Sequence, residues 1–172
     1  MTSPQEPAQS RPPHDRLFRG YAPHEERPLA AYGLLVGLFN AVFGGALFAA
    51  RGSQRLPERI AVGDLLLLGA ATQKLSRLIA KDLVTSAFRA PFTEFGDYSG
   101  QGEVDERPRG QGLQKAIGEL VTCPFCVGQW VSAGFVSGFV ASPRLTRLVA
   151  SVFATLSIAD FLQLAYGRAR PE

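Results

Sequence analysis

Thr122-Cys123-Pro124-Phe125-Cys126-Val127-Gly128-Gln129-Trp130 opens an uncharged apolar run that reaches Val140. As a helix, Pro124 to Ala141 would measure roughly 27 Å, close to the thickness of a bilayer's hydrocarbon core. The motif thus sets two cysteines, spaced C-x-x-C, at the point where a membrane helix would meet water. Gly134 and Gly138 form a G-x-x-x-G pair further along the run, a spacing that lets two helix backbones approach closely in lipid.

Similar blocks lie on either side. Downstream, Ser142 to Arg147 makes a short polar connection, and Leu148 to Gly167 gives a further apolar stretch containing Asp160 and Gln163. Upstream, Leu29 to Ala50 is a run of 22 residues without a charge, long enough to span roughly 33 Å as a helix. Gly33, Gly37, Ala41 and Gly45 recur every fourth residue along it and so share one face, suited to helix packing. Ile60 to Ile79 is more mixed. Its first half includes the wholly apolar stretch Leu65 to Ala71, whereas Gln73, Lys74, Arg77 and Lys81 gather on one face, and Pro91 is the expected end of the helical pattern. Residues 95–111 are rich in glycine and acids and read as a solvated loop.

The expected fold is therefore all-α: a four-span transmembrane helical bundle with spans at about 29–50, 60–79, 124–141 and 148–167. A disordered cytoplasmic tail over 1–28, a cytoplasmic loop over 83–122 and a short tail over 168–172 complete it. The first tail carries six prolines and few apolar side chains, too little to offset its ordering entropy. No apolar core precedes Leu29, so no signal peptide is expected. A soluble bundle would need a polar face on each helix, and the first and third runs have none. Lys and Arg in the connections number 11 on the side of the two termini against 5 on the other. By the positive-inside rule this places both termini in the cytoplasm of a multi-pass plasma-membrane protein. A formal net charge of +3, scattered through connections, gives no nucleic-acid footprint. The bilayer is the expected partner, with a second copy or another membrane protein as candidate neighbours.

Cys123 and Cys126 are the candidates for chemistry. With Cys123 as N-cap, Pro124 takes the first helical position, which proline favours. Both sulfurs then sit at the positive end of the helix dipole, which favours thiolate. Three readings stay open: a thiol–disulfide pair similar to the Cys-Pro-aromatic-Cys of glutaredoxins, half of a zinc site, or small side chains filling a helix contact. A zinc site would need more ligands, either from a second chain or from His14 or His24. No other cofactor is indicated, and no nucleophile–base arrangement points to an enzyme. Asp160, Lys74 and Arg77 would lie at similar depth, and pairing Asp160 with either cation would relieve the cost of charge in lipid; separate snorkelling is the competing reading. Arg89, Phe92 and Phe95 read as anchors in the headgroup layer.

Leu75 to Asp82, Phe88-Arg89-Ala90-Pro91-Phe92 and Gly118 to Cys126, with Gly128 and Trp130, together resemble a family of small bacterial membrane proteins. It is the domain of unknown function numbered thirteen-sixty. The resemblance covers roughly residues 60–165 and implies a membrane fold without implying an activity. It marks Arg77, Asp82, Arg89, Cys123, Pro124, Cys126 and Trp130 as positions of the family pattern. The function expected from the whole is that of a structural or interaction protein, with membrane thiol-redox or metal binding through Cys123-Pro124-Phe125-Cys126 as the alternative.

Overall fold

The computed structural model describes residues 21, 27–52 and 56–170. Most of the expected tail, including His14 and His24, lies outside the described residues, as do Pro171 and Glu172. The elements run α1 (Leu29–Gly52), α2 (Val62–Lys81), α3 (Ser86–Arg89), β1 (Thr93–Gly100), β2 (Glu103–Pro108), α4 (Gly112–Thr122), α5 (Pro124–Ala141) and α6 (Pro143–Ala169).

The core forms where α2 lies against α5 and α6: Leu68 and Ala71 of α2, Phe135 and Phe139 of α5, and Ala150 of α6, flanked by Leu67, Leu75, Val131 and Phe153. Ala71 and Ala150 are fully buried, and their small side chains let α2 and α6 close up. Pro143 stands at the start of α6, and Ser142 caps both helices, its N–H reaching the Gly138 carbonyl at 2.7 Å. The turn between α5 and α6 is therefore a single residue, and the connection expected over 142–147 is mostly helix. A Cβ on Gly138 would stand 3.1 Å from the Thr146 hydroxyl, so the bare α-carbon leaves room for the two helix ends to lie close.

α1 stands apart from this core. It packs on α5 and α4, and none of its residues is buried. Its contact side is marked by Phe39, set edge-to-face on Trp130 with centroids 5.2 Å apart. Leu34, Val36, Leu38, Leu47 and Phe48 of α1 are exposed.

The structure corrects the expected all-α four-span bundle on two counts. Among the described residues three helices, not four, are long and apolar enough to cross a membrane: α1, α5 and α6. The expected span at 60–79 does not qualify, because α2 carries Asp64, Lys74, Arg77 and Lys81, and its fully apolar block is far shorter than the ~20 residues a bilayer needs. α2 instead runs between α5 and α6 with its polar side chains bonded to neighbours.

The second correction concerns the loop at 83–122, which is largely regular structure. α2 ends at Lys81 rather than continuing toward Pro91, and Asp82 turns extended to bridge Glu103. β1 and β2 form an antiparallel hairpin in the register Thr93↔Pro108 to Gly100↔Glu103. Its turn passes through positive φ at Gly100 (95°), Gln101 (50°) and Gly102 (82°), a path that glycine takes without steric cost. Gly-rich acidic sequence is thus a hairpin here, because it lies against a partner.

α4 seals the hairpin's base. A Cβ on Gly118 would collide with the Phe92 carbonyl oxygen and stand 3.1 Å from Pro108 Cβ. Gly118→Ala is expected to lower unfolding stability by about 1–3 kcal/mol, whereas Gly69→Ala, with nothing within 4 Å of the added carbon, is neutral or stabilising. Thermal unfolding of the two variants in detergent checks this.

Candidate functional site

The polar face of α2 makes a ladder with α6. Asp64 accepts two hydrogen bonds from Arg147, both at 2.8 Å. Gln73 accepts from the Ser157 hydroxyl at 2.9 Å, and Lys74 Nζ stands 2.6 Å from Asp160 Oδ2. The partners follow one another in the same order along both helices, so α2 and α6 run parallel, with α5 antiparallel to them and packed alongside. The last part of α2 and the later part of α6 therefore share one end of the bundle. The hairpin, α4 and the start of α5 lie at that end too.

There the ladder continues into the hairpin. Arg77 does not join Asp160; it bonds Glu103 through Nε (3.1 Å) and Nη2 (2.5 Å). Lys81 reaches Asp105 at 2.6 Å. Arg89, expected among lipid headgroups, is instead 2% exposed, because its whole guanidinium is engaged inside the protein. Nε and Nη2 grip Glu106 at 2.9 Å each. Nη1 donates to the Ile79 carbonyl and the Thr85 hydroxyl, both at 2.7 Å, and Nη2 also donates to the Asp82 carbonyl at 2.9 Å. Five contacts match the five donors of the group. Two of the acceptors are carbonyls at the end of α2, which lack helical partners of their own.

Glu106 has a 5% exposed side chain. Burial works to raise its pKa, but hydrogen bonds from Arg89 and Thr93 and the charges of Arg89 and Lys81 outweigh burial and hold the carboxyl below its ordinary 4.5. Sequence reasoning missed this residue. The available signal was period two along β2, where Val104 and Glu106 share the inward side; an acid on a buried strand face demands a cation. Asp64–Arg147 was also missed, as was the bond from the Tyr32 hydroxyl to Glu119 that joins α1 to α4.

Beside this cap lies the cysteine pair. Cys123 sits in extended backbone (φ −102°, ψ 107°) as the N-cap of α5, and Pro124 follows at the first helical position. Cys123 Sγ accepts from the Cys126 backbone N–H at 3.3 Å and from the Cys126 thiol at 2.7 Å. Both are free thiols, with Cys126 the more exposed. Burial raises the pKa of Cys123, yet the hydrogen bonds from the Cys126 thiol and from the Cys126 and Phe125 N–H groups, with the nearby Lys81 charge, prevail and hold it below its ordinary 9.0. Among the described residues no group of three or more His, Cys, Asp or Glu side chains could hold a metal ion.

The small residues divide. Gly138 touches α6, while Gly134 lies in an apolar groove between α1 and α5, lined also by Phe39, Phe43 and Trp130. Gly33, Gly37 and Gly45 have nothing within 4 Å of an added Cβ, and Ala41 is exposed. Asp82 caps α2 and accepts from the Val84 N–H at 2.8 Å.

These features define a bundle with three apolar helices, a polar central helix and a folded cap at one end. The chain belongs to the family of proteins of unknown function DUF1360, whose family model matches residues 67–166. That match covers most of α2 and nearly all of α6 with everything between them, and leaves α1 outside. The chain is also similar to the sporulation protein YjcA of Bacillus subtilis (strain 168), with 26% identity over 102 residues, 58% of this chain and 86% of that protein. No solved structure matches.

Two outcomes are expected. Asp160→Ala and Lys74→Ala each weaken the bundle, and the double variant falls short of the sum by about 0.6–1.7 kcal/mol, the range for hydrogen bonds between membrane helices; a double-mutant cycle of unfolding in detergent measures it. Because the folded pKa of Glu106 lies below the ordinary 4.5, its contribution is complete above that value and is lost as pH falls through the lower folded value. Thermal midpoints followed downward from pH 6 should fall in that range, and Glu106→Gln should flatten the drop.

Proposed function

We propose that this protein is a multi-pass integral protein of the cell membrane that acts by contact rather than through a bound cofactor. Its apolar helices are the lipid-facing part, and the hairpin, α3 and α4 form a cap at the bilayer surface. The observation that carries the reading is α1: a long helix with no charge before Arg51 and no buried residue, its open Gly33, Gly37, Ala41 and Gly45 positions turned away from its own bundle. In water such a surface is costly. In lipid it is ordinary, and small residues there allow a second helix to approach closely. The occupant we infer is a membrane helix of a second copy or of another membrane protein.

The cap end, with the end of α6 beside it, faces the cytoplasm in this reading. The Lys and Arg of the cap and of the C-terminal residues support this orientation. The family and the sporulation relative set no activity against this reading.

The expected outcome is recovery of the full chain in the membrane pellet after alkaline carbonate washing. Recovery in the supernatant would overturn the membrane reading. In a background with Cys123 and Cys126 replaced by serine, Gly37→Cys should cross-link to a membrane partner or a second copy, while Val36→Cys on another face does not. Equal failure of both would overturn the packing role and leave the membrane assignment standing.

A further inference from the structure

We propose that Cys123 and Cys126 form a reversible dithiol–disulfide site at the cap end of the bundle, one that exchanges with external disulfides. This goes beyond the contact role and does not depend on it.

Three features of the geometry carry the inference. The first is reach. The sulfurs lie 2.7 Å apart, about 0.7 Å from bonding distance, and Cys123 is an N-cap whose extended backbone lies outside the helical turns. The pair therefore closes without unwinding α5. The second is asymmetry. Cys123 Sγ is the acceptor of both local hydrogen bonds, one from an N–H of the first turn and one from the neighbouring thiol, so negative charge on sulfur is stabilised at that atom. Pro124 has no N–H to offer and pins the start of the helix, leaving the donors of Phe125 and Cys126 to face Cys123. The third is access. Cys126 is exposed, and Phe125 between the two cysteines is 92% exposed. That exposed ring is an apolar contact for an incoming molecule beside the reactive sulfur. A packing role for the motif would instead bury these side chains. Gly128, one turn on, lies with its α-carbon face against Ser76 of α2, which anchors the start of α5 to the core while Cys126 stays exposed and Cys123 half-buried beside it.

The chemistry balances as thiol–disulfide exchange. Cys123 thiolate attacks a disulfide RS–SR, forming the mixed disulfide Cys123–S–SR and releasing RS⁻, which takes up the proton lost by Cys123. Cys126 then loses its proton and attacks Cys123 Sγ, releasing the second RS⁻, which takes up that proton. The external disulfide is reduced by two electrons, and the two protein thiols become one intrachain disulfide. A reducing thiol runs the sequence backwards.

The probe is glutathione disulfide with glutathione, applied in a series of ratios to the full-length chain in detergent and followed by maleimide trapping and intact mass. The expected result is a single cooperative conversion from two trapped thiols to none, with the mass two hydrogens lower and no glutathione retained. Cys126→Ser should hold one glutathione on Cys123, and Cys123→Ser should acquire it on Cys126 about tenfold more slowly, because its attacking thiolate is less stabilised. A circular dichroism spectrum matching that of the parent protein qualifies each variant, and the titration of the unaltered chain needs no variant. Two thiols trapped at every ratio would overturn the proposal. So would protection of the pair by stoichiometric zinc that a chelator removes.

Discussion

A buried guanidinium sets the architecture of the cap. Arg89 is out of reach of water, so its charge is tolerable only if every donor is occupied and an anion lies against it. Glu106 supplies the anion in a two-pronged contact. The carbonyls of Ile79 and Asp82 with the Thr85 hydroxyl supply the remaining acceptors. Meeting those demands fixes where α2 ends, how the chain turns through α3, and which strand of the hairpin faces inward. The outlying pairs Arg77–Glu103 and Lys81–Asp105 add to the same contact with exposed, weaker interactions. Three basic side chains from the end of α2 and from α3 thus meet three acids of β2.

The apolar half of the molecule was legible in the sequence, because hydrocarbon thickness leaves a length signature that local sequence carries unaided. α1 and α5 follow the apolar runs closely, and α6 extends the last one backwards because Pro143 is as good a first helical residue as Pro124. The cap was not legible. Glu103, Asp105 and Glu106 are residues that water also welcomes, and only their distant partners make Glu106 an interior group, Glu103 a half-buried one and Asp105 an ion-pair partner at the surface. The turn at Gly100-Gln101-Gly102 reads equally as loose loop or tight hairpin until the strands have something to lie on. α2 misled for a related reason. Its leucine block looks like half of a span, while the charges that disqualify it are those that pair with Arg147, Asp160, Glu103 and Asp105.

The cysteine pair belongs to the same economy of helix ends. α4 stops at Thr122 and α5 starts at Pro124, so Cys123 is the single residue between two helices and its sulfur serves as the cap. The residues on which the sequence resemblance rests converge on this end of the bundle: Arg77 and Asp82 where α2 meets the hairpin, Arg89 beneath it, and the cysteines at its side. Trp130 lies one level deeper, against α1. A folded polar cap stapled to the central helix, with a pair of thiols at its margin, is the feature that separates this bundle from a plain set of apolar helices.

Amide hydrogen exchange of the unaltered protein in a membrane mimetic tests that cap most directly. The Leu83 N–H bonded to Gly102, the Phe92 N–H bonded to Arg89 and the Arg109 N–H bonded to Phe92 should exchange slowly, on the timescale of the amides in the second half of α2. Exchange at all three sites as fast as in an unstructured peptide, with α2 still protected, would contradict the account.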